Sequence, residues 1–176
     1  MSNRSTNQNI TTESGIFAII GSPFSGANQV ASFLNDKGIH LLSDEKNDGK
    51  SQNKSFSQIS LSILKNLNST WNSPPSFQED WEFESIHKKP LTLTQKIIDS
   101  NDHLTHWGWE AFESTLLIPF WLSLIPDLKF VICYNNPLSV TQNLVKYCRF
   151  PTQKSAEIWR IYLSTAIQET KNSERI

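Results

Sequence analysis

Gly21-Ser22-Pro23-Phe24-Ser25-Gly26-Ala27-Asn28 is the segment whose residue types and spacing best suit chemistry, because it can hold an anion. Glycines let successive backbone N–H groups converge on one point, and a helix starting behind them adds roughly half a positive charge. ATP with magnesium does not fit, since Ala27 and Asn28 stand where the Walker pattern requires Lys and Ser or Thr. The same residues also suit a tight strand-to-helix turn with no ligand. His103 and His106 lie three apart with no Cys or third His nearby, so no metal is expected. His40 is expected to face structure. Glu110 and Glu113 read either as general bases for an acceptor hydroxyl or as solvated loop residues. Trp107, Trp109, Phe112, Phe120 and Trp121 read either as the walls of an acceptor pocket or as core. The chain shows no G-x-S-x-G elbow and no Cys-His nucleophile arrangement, so no catalytic residue is assigned.

The elements around these residues follow from hydrophobic period. Ile16 to Ile20 is a short continuous apolar run rich in β-branched residues, the pattern of a strand covered on both faces. Behind the glycine loop, Val30, Phe33 and Leu34 fall at helical spacing, and Gly38 stands where a left-handed residue closes a helix. Phe56, Ile59, Ile63, Leu64 and Leu67 mark a second helix, broken by Pro74-Pro75. A further helix follows Pro90 through Leu93, Ile97 and Leu104, and Trp107-Gly108-Trp109 reads as a short strand. Ser114 is placed as the cap of a helix over 115–125 that Pro126 stops. Lys129 to Tyr134 is a second buried-type strand, and Asn136-Pro137 supplies an N-cap followed by proline at the first helical position. The last helix, over roughly 152–169, carries Ile158, Ile161, Tyr162 and Thr165 on one stripe. Strands separated by helices imply parallel βαβ units. The expectation is an α/β fold of three layers, with both long strands central in a parallel sheet and the ligand at the strands' carboxyl ends.

Three ordered blocks resemble the sulfotransferase family, P-loop-like enzymes that use the donor 3′-phosphoadenosine 5′-phosphosulfate (PAPS). Gly21 to Asn28 looks like the family's donor loop, in which a cation precedes S-G-T-[ST], and Gly38-Ile39-His40-Leu41 looks like its G-V-x-L. Trp107-Gly108-Trp109-Glu110-Ala111-Phe112-Glu113-Ser114-Thr115-Leu116 is similar to the W-G-W-K-D-P-R-x-[ST]-L of many bacterial members. Ile125 to Phe130, and then Asn135-Asn136-Pro137-Leu138-Ser139-Val140-Thr141-Gln142-Asn143-Leu144, resemble P-D-x-K-F, a strand, and R-[ND]-P-x-D-V-x-x-S-L. The resemblance covers about Gly15 to Tyr162 and implies a three-layer P-loop-like fold. It also implies transfer of a sulfuryl group from PAPS to a hydroxyl of a sugar, lipid or small molecule. Donor binding would fall to Gly21, Ser22, Phe24, Ser25, Gly26, Ala27, Asn28, Asn135 and Asn143.

This sequence departs from the family where the family is charged. Phe24 stands in place of the loop cation, and Asn135 and Asn143 in place of the Arg and Ser that hold the donor's 3′-phosphate. Glu110 replaces a Lys and Glu113 an Arg. Typical members also continue past the position of Ile176 with another strand, so a partial or eroded copy is expected. Two readings follow: a PAPS-dependent transferase, or a non-catalytic protein that keeps the fold for binding. Lys146 and Arg149 are either replacement cations or a solvated basic face.

The chain's 176 residues suffice for one domain, read as 15–176 behind a loose polar tail over 1–14. Lys+Arg 16 against Asp+Glu 17 leaves a net charge of −1, which excludes a general polyanion binder, so no nucleic-acid partner is expected. The charge is uneven: Glu79 to Glu113 holds eight acids and three lysines, and Lys129 to Tyr162 five bases and one acid. With Cys133 and Cys148 alone, no disulfide framework is expected. No apolar run is long enough for a membrane span and Met1 to Ser14 has no signal-like apolar stretch, so a cytoplasmic protein is expected.

Overall fold

The computed structural model of the chain describes residues 15–42, 55–74 and 88–172. The tail over 1–14 and residues 79–87 of the acidic segment lie outside the described residues. Four parallel strands form one sheet in the order β2-β3-β1-β4. They are β1 (Gly15–Gly21), β2 (His40–Leu42), β3 (His106–Glu110) and β4 (Lys129–Cys133). Only β1 of the two apolar strands is flanked on both sides; β4 ends the order among the described residues, which corrects the expectation that both are central. Their carboxyl ends do lie side by side, with Gly21 opposite Cys133. His40, expected to face structure, is exposed at the start of β2.

Strand alternation divides the side chains between two layers. Ile19, Val131 and Cys133 meet Ala27, Val30, Ala31 and Leu34 of α1 (Ala27–Asp36) on one face. The other face carries Ala18, Ile20, Trp107, Trp109 and Phe130 into the main core. Its helices are α2 (Phe56–Asn66), α3 (Lys88–Asn101), α4 (Ile118–Leu124), α5 (Pro137–Cys148) and α6 (Thr152–Glu169). The protein is therefore α/β, with a parallel sheet between helices. No helix among the described residues is long and apolar enough to cross a membrane.

The helix expected over 115–125 is two pieces, a 3-10 helix over Phe112–Leu117 followed by α4. Pro119, at the start of α4, has no N–H to continue the preceding ladder, so regular α-helix begins around it. Ser114 caps nothing; it is buried, accepts a hydrogen bond from Trp109 Nε1 at 3.2 Å and shares another with Ser60 Oγ at 3.1 Å. Asn136 caps α5 as expected, accepting from the Leu138 N–H at 2.9 Å.

Gly108 in β3 is required by close approach. A Cβ there would collide with the Phe17 carbonyl oxygen of β1 and lie 2.9 Å from its carbonyl carbon, both rigid backbone. Gly108→Ala is expected to lower stability by about 1–3 kcal/mol, the usual cost of overpacking. Urea unfolding of the two chains measures it, and equal midpoints would show that β1 and β3 can separate freely.

Candidate functional site

At the carboxyl end of β1 the chain turns through Ser22 to Ser25, where the Ser25 N–H donates to the Ser22 carbonyl at 3.0 Å. Gly26 is left-handed at φ 91°, a conformation that suits glycine, and leads into α1 as its N-cap. The Gln29 and Val30 N–H groups return to the Gly26 carbonyl at 3.1 and 3.3 Å. The N–H groups of Gly26, Ala27 and Asn28 have no acceptor among the described residues, the usual state of a helix's first turn. A side chain adds to this cradle. Ser25 is 7% exposed and its buried hydroxyl has no hydrogen-bond partner, although it lies inside the turn, 2.8 Å from where a Gly21 Cβ would stand. Leaving such a hydroxyl unpaired costs about 1–3 kcal/mol, so the turn is one acceptor short.

Two other segments hold this turn. Thr115 Oγ1 of the 3-10 helix accepts from the Gly21 N–H and donates to the Gly21 carbonyl, both at 2.9 Å. Thr115 was not assigned a site role from sequence, although it occupies the [ST] position of the second block. The loop between β4 and α5 provides the other support. Asn135 Nδ2 points to the Phe24 carbonyl at 3.5 Å, Asn135 Oδ1 accepts from the Asn136 N–H at 2.7 Å, and Trp159 Nε1 donates to the Asn135 carbonyl at 3.1 Å. The three separated sequence blocks thus meet at one end of the sheet.

Of the expected donor residues, Gly21, Ser22, Ser25 and Ala27 are buried, Gly26 is half-buried, and Phe24, Asn28 and Asn135 are exposed. Asn143 is half-buried on α5, one turn before Tyr147 and on the same flank, and makes no hydrogen bond to the loop among the described residues. Tyr147 stacks on Phe24 with ring centroids 5.8 Å apart and planes at 29°. Phe24 holds φ at 61°, which costs an aromatic residue on the order of 1 kcal/mol. Sequence reasoning missed this aromatic pair, since 123 positions separate its members and neither belongs to a periodic stripe pointing at the other.

The two glutamates differ from one another and from the sequence reading. Glu113 is buried, not solvated; Ser57 Oγ donates to its Oε1 at 3.1 Å, and its charge helps burial raise the Tyr162 hydroxyl well above the usual range. Half-buried Glu110 ends β3 opposite Ile19. Burial pushes the Cys133 thiol up to about 11, and the Glu110 carboxylate adds to the shift. Negative charge therefore reaches the carboxyl edge of the sheet from Glu110, while no Lys or Arg lies within residues 21–28.

Four of the five aromatics weighed as pocket walls are core: Trp107, Trp109, Phe120 and Trp121 are at most 2% exposed. Half-buried Phe112 packs on Trp71 and Tyr162. His103 is exposed and His106 stacks on Phe17, and no metal-holding group occurs among the described residues. Lys146 is exposed, with Nζ 4.9 Å from the Tyr147 ring centre, and exposed Arg149 closes α5. Among known proteins, no family model and no curated sequence matches the chain.

Proposed function

We propose that this is a sulfotransferase-like protein of P-loop-like fold that binds a tetrahedral oxyanion, the phosphate or sulfate end of a donor-type nucleotide, and does not transfer it. The observation that carries the reading is the buried Ser25 hydroxyl, without a partner among the described residues, inside a glycine turn where the N–H groups of Gly26, Ala27 and Asn28 likewise have no acceptor among the described residues. Backbone amides and a hydroxyl recognise an anion through neutral donors, supported by the partial charge of α1. Neutral donors hold anions more weakly than guanidinium does, so affinity is modest. Thr115 and the Asn135 loop brace the turn, which supports the reading.

Titration calorimetry with the product nucleotide PAP, which carries 5′- and 3′-phosphates, tests the reading. The expected result is weak binding that Ser25→Ala reduces further. Asn135→Arg with Asn143→Ser should tighten it by about 1.5–3 kcal/mol, roughly 10- to 150-fold, through a charge-assisted contact to the 3′-phosphate. Binding by neither chain would overturn the proposal, and tightening by the double variant without a Ser25 effect would move the anion away from the glycine turn.

A further inference from the structure

We infer that Tyr147 is a positioning residue for the glycine turn: its stack on Phe24 holds the left-handed backbone that presents the Ser25 hydroxyl and the first N–H groups of α1 to an anion. For its ligand the inference rests on the anion-binding reading above. Between Ser22 and Asn28 the backbone is left-handed at Phe24, with φ 61°, and at Gly26, with φ 91°. Gly26 adopts this conformation freely. At Phe24 the Cβ crowds the following carbonyl oxygen, which lowers the population of the left-handed form by about fivefold or more. Position 24 therefore needs a contact that a relaxed backbone would lose.

Phe24 is held at two points, both on the segment that enters and forms α5. Its carbonyl oxygen is 3.5 Å from Asn135 Nδ2, long for a hydrogen bond, whereas its ring stacks on Tyr147 with centroids 5.8 Å apart. The ring contact is the stronger of the two. A stacked aromatic pair favours its own arrangement by about two- to twelvefold, the same order as the backbone penalty, so the stack offsets it. Lys146 places its Nζ 4.9 Å from the centre of the Tyr147 ring and adds a second contact that fixes it. Tyr147 is 62% exposed and Phe24 39%, so neither ring does much to fill the core. Ser25 follows directly, its N–H returned to the Ser22 carbonyl at 3.0 Å and its hydroxyl buried inside the turn. A change of φ at Phe24 swings the chain that follows, and the Ser25 N–H and hydroxyl leave these places together.

The test is a double-mutant cycle on the full chain with Tyr147→Ala, Phe24→Gly and both together, and Tyr147→Phe as the conservative variant. Glycine suits the left-handed backbone at position 24 and Tyr147 lies on the surface, so all four variants keep the fold. Two quantities are read: hydrogen exchange of the Ser25 amide in the free protein, corrected for the intrinsic rate of each sequence, and the affinity for inorganic phosphate and PAP by calorimetry. Tyr147→Ala is expected to speed the exchange and weaken both ligands by about three- to tenfold, and Tyr147→Phe to leave both quantities within about twofold. In the Phe24→Gly background the same Tyr147→Ala change should alter neither, since glycine needs no stack to stay left-handed. An effect of equal size in both backgrounds, or a Tyr147→Phe loss as large as that of Tyr147→Ala, overturns the inference. Faster exchange with ligand affinity unchanged overturns the positioning role alone. Absence of phosphate and PAP binding in every chain overturns the anion-binding reading and leaves the stack's hold on the turn to be decided by exchange in the free protein.

Discussion

Incubated with radiolabelled PAPS and a panel of sugar, phenol and lipid acceptors, the protein is expected to transfer no label above background. Sulfuryl transfer needs positioning and charge stabilisation, much as phosphoryl transfer does, and one lost donor aimed at the developing charge can cost on the order of 10²-fold in rate. At the position matching the family's loop cation stands the ring of Phe24, turned onto Tyr147. At the position matching a lysine stands Glu110, close enough to the carboxyl end of β4 to raise the Cys133 thiol. Negative charge at that edge of the sheet opposes a developing anion, and the α1 terminus contributes only about half a positive charge. Phe24→Lys combined with Glu110→Lys and Asn135→Arg should raise transfer by 10²-fold or more if the family's roles hold at these positions. Transfer by the unaltered chain approaching about one turnover per second, and lost in Ser25→Ala, would show that cations such as Lys146 and Arg149 reach the site.

Trp109→Ala should be the most damaging single truncation of the fold. Trp109 is 1% exposed, stacks on Phe56 at 3.8 Å with planes 7° apart, and meets Trp121 edge-on at 5.5 Å. Its Nε1 also donates to Ser114 Oγ, which in turn meets Ser60 Oγ, so removal both opens a cavity between β3, α2 and α4 and leaves the buried Ser114 hydroxyl with one partner fewer. Losses of this kind amount to about 3–5 kcal/mol, a large share of the 5–15 kcal/mol that typical domains possess. Chemical denaturation followed by tryptophan fluorescence and far-ultraviolet circular dichroism measures the change. A loss under about 1 kcal/mol would mean that the Phe56–Trp109–Trp121 cluster repacks easily and is not the centre of the core.

Hydrophobic period located β1, β4, α2 and α6 because each is a long or continuous apolar segment. It did not show that β2 is a strand, since His40-Leu41-Leu42 is too short to display alternation and owes its conformation to pairing with β3. Nor did it separate the 3-10 helix from α4, where the competition between Pro119 and the preceding turn is local geometry. For the site, the glycine turn could be read directly, because its function is a property of consecutive backbone groups. Thr115 and Tyr147 could not, since each acts on the turn across more than ninety positions and only the folded chain brings them there. Glu113 misled for a related reason: a charged residue in a polar-looking loop is ordinarily solvated, and here α2 and α6 fold over it.

The distribution of exposure at the site separates what the turn binds from what keeps the protein folded. Thr115 ties both main-chain groups of Gly21 to the interior and Asn135 braces the Phe24 carbonyl, whereas the side chains of Phe24 and Asn28 are exposed and contribute little to the core. Surface substitutions of that kind usually change stability by less than about 0.5 kcal/mol. The charge at the rim of the turn can therefore be rewritten, toward cations or away from them, almost independently of the fold. In engineering terms the molecule is a scaffold with an exchangeable rim: an amide cradle below, and two exposed positions above, Phe24 and Asn28, on which different chemistries can be tried one at a time.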